Sequence, residues 1–377
     1  MEKRRFIPDS YEEHFESSEA MQSVLKEICE NSIWQGGILA NTLKFKVADN
    51  VPLLAKELAE KYSCDEEALM DTMAGTQLVV TFDDGFTYYP VRDTAMKSLF
   101  DRTGAGSFVS RCGAKEFVLF FNEIGFPTLL KGNVLILLRG GKVSAVLSDE
   151  NGGYEALSMS GLMSRAEDAL GNRFGDKAKF EVGEVSHGFM LAKYTIDDPD
   201  LLKEYETLTK DSVYGGGYTP QIAIYSSDVG TCSATVAASL RTARGATIRI
   251  NGESTVPHKK GASLDDFEQK LYEVFAKYVD FANKLGEMAK IVLDKPCEAF
   301  MAACKKAKLP KKFTKKALED FELYVGDGEA SAHDIYLGIC EALFYAKCAG
   351  QDEKALCRLE DLSASCLAFD WEDWENW

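Results

Sequence analysis

The sequence has no segment suited to entering or crossing a membrane. No stretch approaches the about 18 consecutive apolar residues that a spanning helix needs. Lys3, Arg4 and Arg5 stand near the start, but no apolar run follows them, so we expect no secretion signal. The ten cysteines are scattered, and we interpret them as reduced thiols of a cytoplasmic protein rather than a disulfide scaffold. No membrane partner is expected.

The sequence also lacks the motifs that hold metals or nucleotides. It contains no Cys-x-x-Cys pair, and its four histidines are far apart, whereas zinc ligands usually come in close pairs. Gly215-Gly216-Gly217 is followed by Tyr218 rather than by the Lys-Ser or Lys-Thr of a phosphate loop, so we interpret it as a loop or hinge. We therefore predict no metal, no cofactor and no catalytic residue, and we do not expect an enzyme.

Composition and periodicity predict an α+β protein. The chain has 377 residues, of which 46% are hydrophobic and 27% are charged, which is enough for two or three domains. We predict a mixed, largely antiparallel sheet with packed helices, followed by an all-helical C-terminal region. The predicted divisions are an N-terminal helical region over 1–75, an α+β core over 76–261, a helical region over 262–366 and an acidic, aromatic tail over 367–377.

Two patterns carry this prediction. The strand-like segments Val134–Arg139 and Lys142–Leu147 flank Gly140-Gly141, and a glycine pair permits the positive φ values of a tight hairpin turn. After Gly261, apolar residues recur at three- and four-residue spacing. That spacing predicts one long amphipathic helix reaching as far as Leu293.

Charge is distributed unevenly along the chain. The formal net charge is -17, which by itself argues against nucleic acid. Between Arg241 and Lys316, however, 17 Lys and Arg face 9 Asp and Glu, so this segment has a net charge of +8 and the remainder has -25. Such an asymmetry can mark a binding face that the total charge conceals.

Basic residues of this segment form the first candidate site for a phosphate backbone. Three arginines lie on or beside predicted strands, and a short basic loop follows them. Guanidinium and ammonium groups on one sheet edge suit phosphates. A solvated hairpin with ordinary surface charge is the alternative. The candidate contacts are Arg241, Arg244, Arg249, His258, Lys259 and Lys260.

A second cluster holds seven lysines within the twelve residues from Lys305 to Lys316, and it includes Lys311 and Lys312. Such a cluster can make a non-specific electrostatic contact with nucleic acid. The alternative is a solvated loop and helix start, which could also pair with acidic segments of a neighbouring subunit.

The C-terminal tail combines acidic and aromatic residues. Three of the four tryptophans lie in the last seven residues. The tail looks like the acidic, aromatic-ended tails of single-stranded-DNA-binding proteins, and an exposed segment of this kind is suited to binding a protein partner. Packing on the parent domain or on a neighbour is the alternative. The candidate residues are Phe369, Trp371, Trp374 and Trp377.

Three groups of residues together suggest a family. They are Tyr89–Ala95 with Leu99 and Asp101–Gly104, then Arg139–Ser148, and then Ser226–Gly230 continuing to His258–Gly261. Their order resembles that of a phage- and plasmid-associated domain-of-unknown-function family, number nine hundred and thirty-two, over about residues 80–295. The resemblance implies a mobile-element protein of the bacterial cytoplasm and supplies no chemistry. Where family members often show an Arg-x-x-Cys-x-Asn passage, this chain has Arg241 to Gly245 without the Cys or Asn.

Three hypotheses for function follow. The first is a non-enzymatic nucleic-acid-handling protein of a phage or plasmid, which binds or anneals single-stranded DNA as a homo-oligomer. The second is a protein-binding module, such as an acidic inhibitor of a host defence system. The third is a metal-dependent nuclease that uses scattered carboxylates, although turn and helix-start chemistry also explain Asp83-Asp84 and Asp265-Asp266.

Overall fold

The chain has an α+β fold whose strand ladders are antiparallel in the part that the structure describes. This structure is a computed structural model, and it describes residues 8–82, 85–104, 111–242, 247–252, 254–326 and 328–377. The fold class predicted from the sequence is confirmed. Across the described ranges, no helix is long and apolar enough to span a bilayer.

Fifteen strands are assigned in the described residues. They are Glu12–Phe15 (β1), Ser32–Leu39 (β2), Lys44–Val47 (β3), Leu78–Thr81 (β4), Tyr89–Pro90 (β5), Asn133–Arg139 (β6), Lys142–Ser148 (β7), Ala178–Ser186 (β8), Phe189–Ile196 (β9), Thr219–Ser226 (β10), Ala234–Arg241 (β11), Thr247–Arg249 (β12), Thr255–Val256 (β13), Val292–Leu293 (β14) and Ala330–Ser331 (β15).

Thirteen α-helices lie in the same residues. They are Ser18–Glu30 (α1), Val51–Tyr62 (α2), Glu66–Thr76 (α3), Asp93–Thr103 (α4), Ala114–Phe120 (α5), Met159–Phe174 (α6), Lys203–Leu208 (α7), Leu264–Ala276 (α8), Tyr278–Glu287 (α9), Pro296–Lys306 (α10), Lys311–Val325 (α11), Ala332–Cys348 (α12) and Glu353–Ala364 (α13). A π-helical segment, Phe121–Leu129, continues α5, and short 3-10 turns include Trp371–Asn376 in the tail.

Serine side chains begin several of the helices. Ser17, Ser158, Ser263 and Ser331 each have an extended backbone and accept a hydrogen bond from a backbone N–H in the first turn of α1, α6, α8 and α12. The bond satisfies one of the N–H groups that a helix start leaves without a partner. The hairpin β6–β7 turns at Gly140-Gly141, whose φ angles are 58° and 74°, as the sequence predicts.

The largest sheet has apolar side chains on both faces. Its order is β1-β8-β9-β10-β11-β12, and β13 also pairs with β11. Ile222 and Ile224 of β10 face the main core, which is built with α1, α6 and the C-terminal helices. Ala223 and Tyr225 face the other way, toward Cys357 of α13. The sheet therefore separates the main core from a smaller apolar cluster on its opposite face, where α13 packs.

A second core is built from a contiguous part of the chain. Its buried residues run from Ala40 to Val146 and come from α2 to α5 and from two three-stranded sheets, ordered β2-β6-β7 and β3-β4-β5. Phe45, Phe121 and Phe126 pack together there, with ring centroids 5.0 to 5.7 Å apart.

The structure differs from the sequence prediction at three places. The C-terminal region predicted to be all-helical also contains the short paired strands β14 and β15. The N-terminal region is not purely helical, since it also contains β1, β2 and β3. The long helix expected after Gly261 is two helices, α8 and α9, that meet at Lys277. No disulfide joins any of the ten cysteines, all of which the structure describes.

Candidate nucleic-acid interface

Arg249 lies in the interior and not on a sheet edge. Its side chain is 1% exposed, and its guanidinium contacts Asp361 of α13 at 3.0 Å. Its Nε donates to the Asn251 side-chain oxygen at 2.7 Å. The guanidinium is already bound by protein groups and closed to a ligand, so the prediction that Arg249 contacts phosphate is wrong.

Of the other two predicted arginines, Arg241 and Arg244, the structure describes only Arg241. Arg241 ends β11, and its half-exposed side chain forms an ion pair with Glu181 at 2.7 Å. Arg244 lies outside the described residues. An anion at Arg241 would have to compete with a carboxylate already in place, so this side chain is a weak candidate.

The basic loop after β13 divides into a buried and an exposed part. His258 is buried, stacks on Tyr154 at 5.1 Å, and its Nε2 lies 3.1 Å from the Ser226 hydroxyl. Burial lowers the pKa of His258, so its imidazole is neutral near pH 7 and the prediction of a phosphate contact there is wrong. Lys259 and Lys260 are both exposed, and Lys260 forms an ion pair with Asp149 at 2.9 Å.

The lysine cluster, by contrast, is open to solvent throughout. All seven side chains are exposed, and none forms an ion pair with any residue in the described ranges. They lie at the end of α10, in the connecting turn and in the first turns of α11. We call this surface the lysine face; it consists of Lys305, Lys306, Lys308, Lys311, Lys312, Lys315 and Lys316.

The start of α11 adds to the positive potential of the lysine face. The residue before the helix is Pro310, which offers no side-chain cap, and the first turn contains no acidic residue. The helix dipole places partial positive charge at this end, and each cation there costs about 0.3–1 kcal/mol of helix stability. Lys311 and Lys312 therefore oppose local stability, and such departures from local rules are expected at functional surfaces.

Aromatic side chains border the lysine face. The Lys306 ammonium lies 4.6 Å from the ring centroid of Phe369 and 4.8 Å from that of Trp377. Lys316 lies 5.6 Å from the ring of Tyr345. These rings come from the tail and from α12, which places cations and aromatic surfaces side by side.

The tail packs on its own domain. Trp371 is 2% exposed, belongs to the main core, and donates from Nε1 to the Cys366 carbonyl at 3.1 Å. Lys295 holds Glu375 at 3.2 Å. Of the two interpretations drawn from the sequence, packing on the parent domain is the one observed, and the prediction that Trp371 binds a partner is wrong. Trp374, Trp377 and Phe369 are partly exposed.

Sequence reasoning missed one group that could hold a metal. Glu12, His14 and Glu184 lie on the neighbouring strands β1 and β8, with one ligand atom from each within 4.8 Å of the others. The signal available in the sequence was the spacing of two residues between Glu12 and His14, which places both on one face of a strand.

Comparisons with protein-family models, curated proteins and solved structures find no match to this chain. The family resemblance drawn from the sequence therefore stays a prediction.

Proposed function

We propose that this chain is a non-enzymatic protein that binds single-stranded nucleic acid through the lysine face. The observation that carries the proposal is the exposure of seven lysines without a carboxylate partner in the described residues. Such a surface attracts a polyanion, because each phosphate that a lysine neutralises releases a condensed counterion into solution.

The local composition distinguishes the lysine face from ordinary surface charge. No Asp or Glu occurs between Lys305 and Lys316, although the chain has 60 acidic residues. Some helical lysines elsewhere contact a carboxylate one turn away, as the half-buried Lys270 contacts Glu273 at 2.7 Å. With no ion pair in the described residues, the seven ammonium groups of the lysine face are available to a ligand.

The bordering rings favour single strands over duplexes. Unpaired bases stack on aromatic side chains with about 1–3 kcal/mol per base, whereas a duplex keeps its bases stacked on one another. Phe369 and Trp377 lie beside Lys306, so a strand that contacts the lysine face can place bases on these rings.

The test is fluorescence anisotropy with labelled oligodeoxythymidine across a salt series. If all seven lysines neutralise phosphates, the slope of log K against log salt is about -5 for a single strand. Replacing four lysines of α11 with glutamine leaves three, so the slope should fall to about -2. The four substitutions are Lys311→Gln, Lys312→Gln, Lys315→Gln and Lys316→Gln.

A matched control has the same change in charge elsewhere on the surface. Lys26, Lys56, Lys115 and Lys203 are exposed helical lysines outside the lysine face. Their replacement with glutamine should leave the slope near the wild-type value. Equal losses in both variants would show a general charge effect and refute the site. No binding by the wild type at low salt would refute the function itself, and the acidic-inhibitor hypothesis would then be tested next.

A further inference from the structure

A carboxylate-rich group lies at the edge of the largest sheet. The edge strand β1 pairs with β8 in a register that places His14 opposite Glu184 and Glu12 opposite Ser186. Because side chains alternate along a strand, Glu12 and His14 lie on one face, together with Glu184. This is the sheet face that α13 covers.

The three side chains lie within reach of one small cation. One ligand atom from each of Glu12, His14 and Glu184 lies within 4.8 Å of the others. Nδ1 of His14 is 3.5 Å from Oε2 of Glu184, and a tetrahedral ion with bonds of about 2.1 Å separates its ligands by about 3.4 Å. Glu12 and His14 are exposed, so their side chains have room to turn toward an ion beside Glu184.

Glu184 supplies a second, independent indication of a ligand. Its side chain is 5% exposed, and its Oε2 has no hydrogen-bond partner in the described residues. A buried carboxylate oxygen without a donor destabilises the fold. The oxygen points at His14, on the open side of the strand pair. A cation bound there removes this destabilisation.

The surroundings are also short of positive charge. The nearby Lys193 lies between Glu353 and Glu360, at 3.7 and 3.8 Å, and both belong to α13. The carboxylates at this corner outnumber the cations, so the electrostatic field attracts a positive ion.

We propose that Glu12, His14 and Glu184 bind a divalent transition-metal ion of the manganese or zinc class. One imidazole and two carboxylates suit such ions, whereas calcium and magnesium prefer an all-oxygen set. The remaining coordination positions are open to water. The ion joins the four-residue strand β1 to β8 and so fastens the N-terminal edge of the sheet.

The experiment uses Mn²⁺ with the full chain after treatment with chelator. Mn²⁺ is the probe because the ten cysteines would compete for Zn²⁺, and thiolates are poor ligands for manganese. Electron paramagnetic resonance measures the free ion during a titration. We expect the wild type to take up one equivalent and to melt at a higher temperature with the ion.

Variants assign the uptake to this site. His14 is 64% exposed, so His14→Ala leaves the core intact. Changes outside the ligand shell alone cost about 10- to 100-fold in affinity, so loss of the imidazole should weaken binding by about 100-fold or more. Glu13→Gln is the matched control, because Glu13 lies on the same strand with the opposite orientation.

The outcomes separate cleanly. Equal Mn²⁺ affinity in the wild type and in His14→Ala overturns the proposal, as does a failure of the wild type to bind the ion. If the wild type binds no Mn²⁺ and Glu184→Gln raises the melting temperature without metal, Glu184 is a buried carboxylate that destabilises the fold and is not a metal ligand. The result is independent of nucleic-acid binding, since the lysine face contributes no ligand.

Discussion

Replacing Arg249 with methionine tests whether this residue holds the fold together or contacts a ligand. Arg249 joins β12 to α13 through the 3.0 Å contact with Asp361, and Tyr336 of α12 donates to the Arg249 carbonyl at 2.6 Å. Methionine preserves the length and the apolar part of the side chain. The substitution therefore removes the ion pair and leaves most of the packing.

The expected cost follows from the exposure of the two partners. Removing one partner of a buried ion pair costs about 3–5 kcal/mol. The Asp361 side chain is 47% exposed, so its carboxylate recovers water when Arg249 is lost, which places Arg249→Met near the lower value. Asp361→Ala leaves a buried guanidinium without its counter-charge, so it should destabilise at least as much, by about 4 kcal/mol.

Urea unfolding followed by tryptophan fluorescence measures both costs. Trp371, Trp374 and Trp377 follow directly after α13 and report on its detachment. At low urea, folded Arg249→Met should bind oligodeoxythymidine as the wild type does. An unchanged unfolding midpoint together with lost binding would refute a structural role for Arg249 and would indicate that it contacts the nucleic acid.

Two further predictions concern the tail and the tyrosines. Trp371→Ala should lower the free energy of unfolding by about 3 kcal/mol through lost packing, whereas Trp371→Phe should cost less because it keeps a ring; comparable losses in the two variants would contradict this. Burial raises the pKa of eight tyrosines above the ordinary value of 10, so these phenols stay protonated in the folded chain while those of the unfolded chain ionise. The contribution of these tyrosines to the free energy of unfolding is therefore fully present below pH 10. Above pH 10 the free energy of unfolding falls by about 1.4 kcal/mol per pH unit for each such tyrosine. Tyrosinate absorbance and circular dichroism should change together just above pH 10, and gradual ionisation of a chain that stays folded would refute this.

The sequence predicted the secondary-structure elements that are determined by residues close together in the chain. The hairpin β6–β7 was predicted because its glycine pair and its apolar strands lie within sixteen residues of each other. Strand β1 was missed because its partner, β8, lies far along the chain and its own four residues are mostly polar. Edge strands of this kind have little periodicity of their own.

The candidate site divides in the same way. The lysine cluster could be predicted because its seven members lie within twelve residues of the sequence. The burial of Arg249 could not be, since its counter-charge, Asp361, is 112 positions away and belongs to a helix that covers the sheet. Likewise, nothing in the sequence around Lys306 shows that Phe369 and Trp377 lie against it.

The distribution of the two cores along the chain has a consequence for synthesis on the ribosome. The second core, from Ala40 to Val146, consists of consecutive residues and can be completed early. The main core includes both Phe15 and Trp371, so it cannot be completed until Trp371 has left the ribosome. Domains generally fold as units during translation. We therefore expect the segment around Phe15 to acquire its native packing later than the second core does.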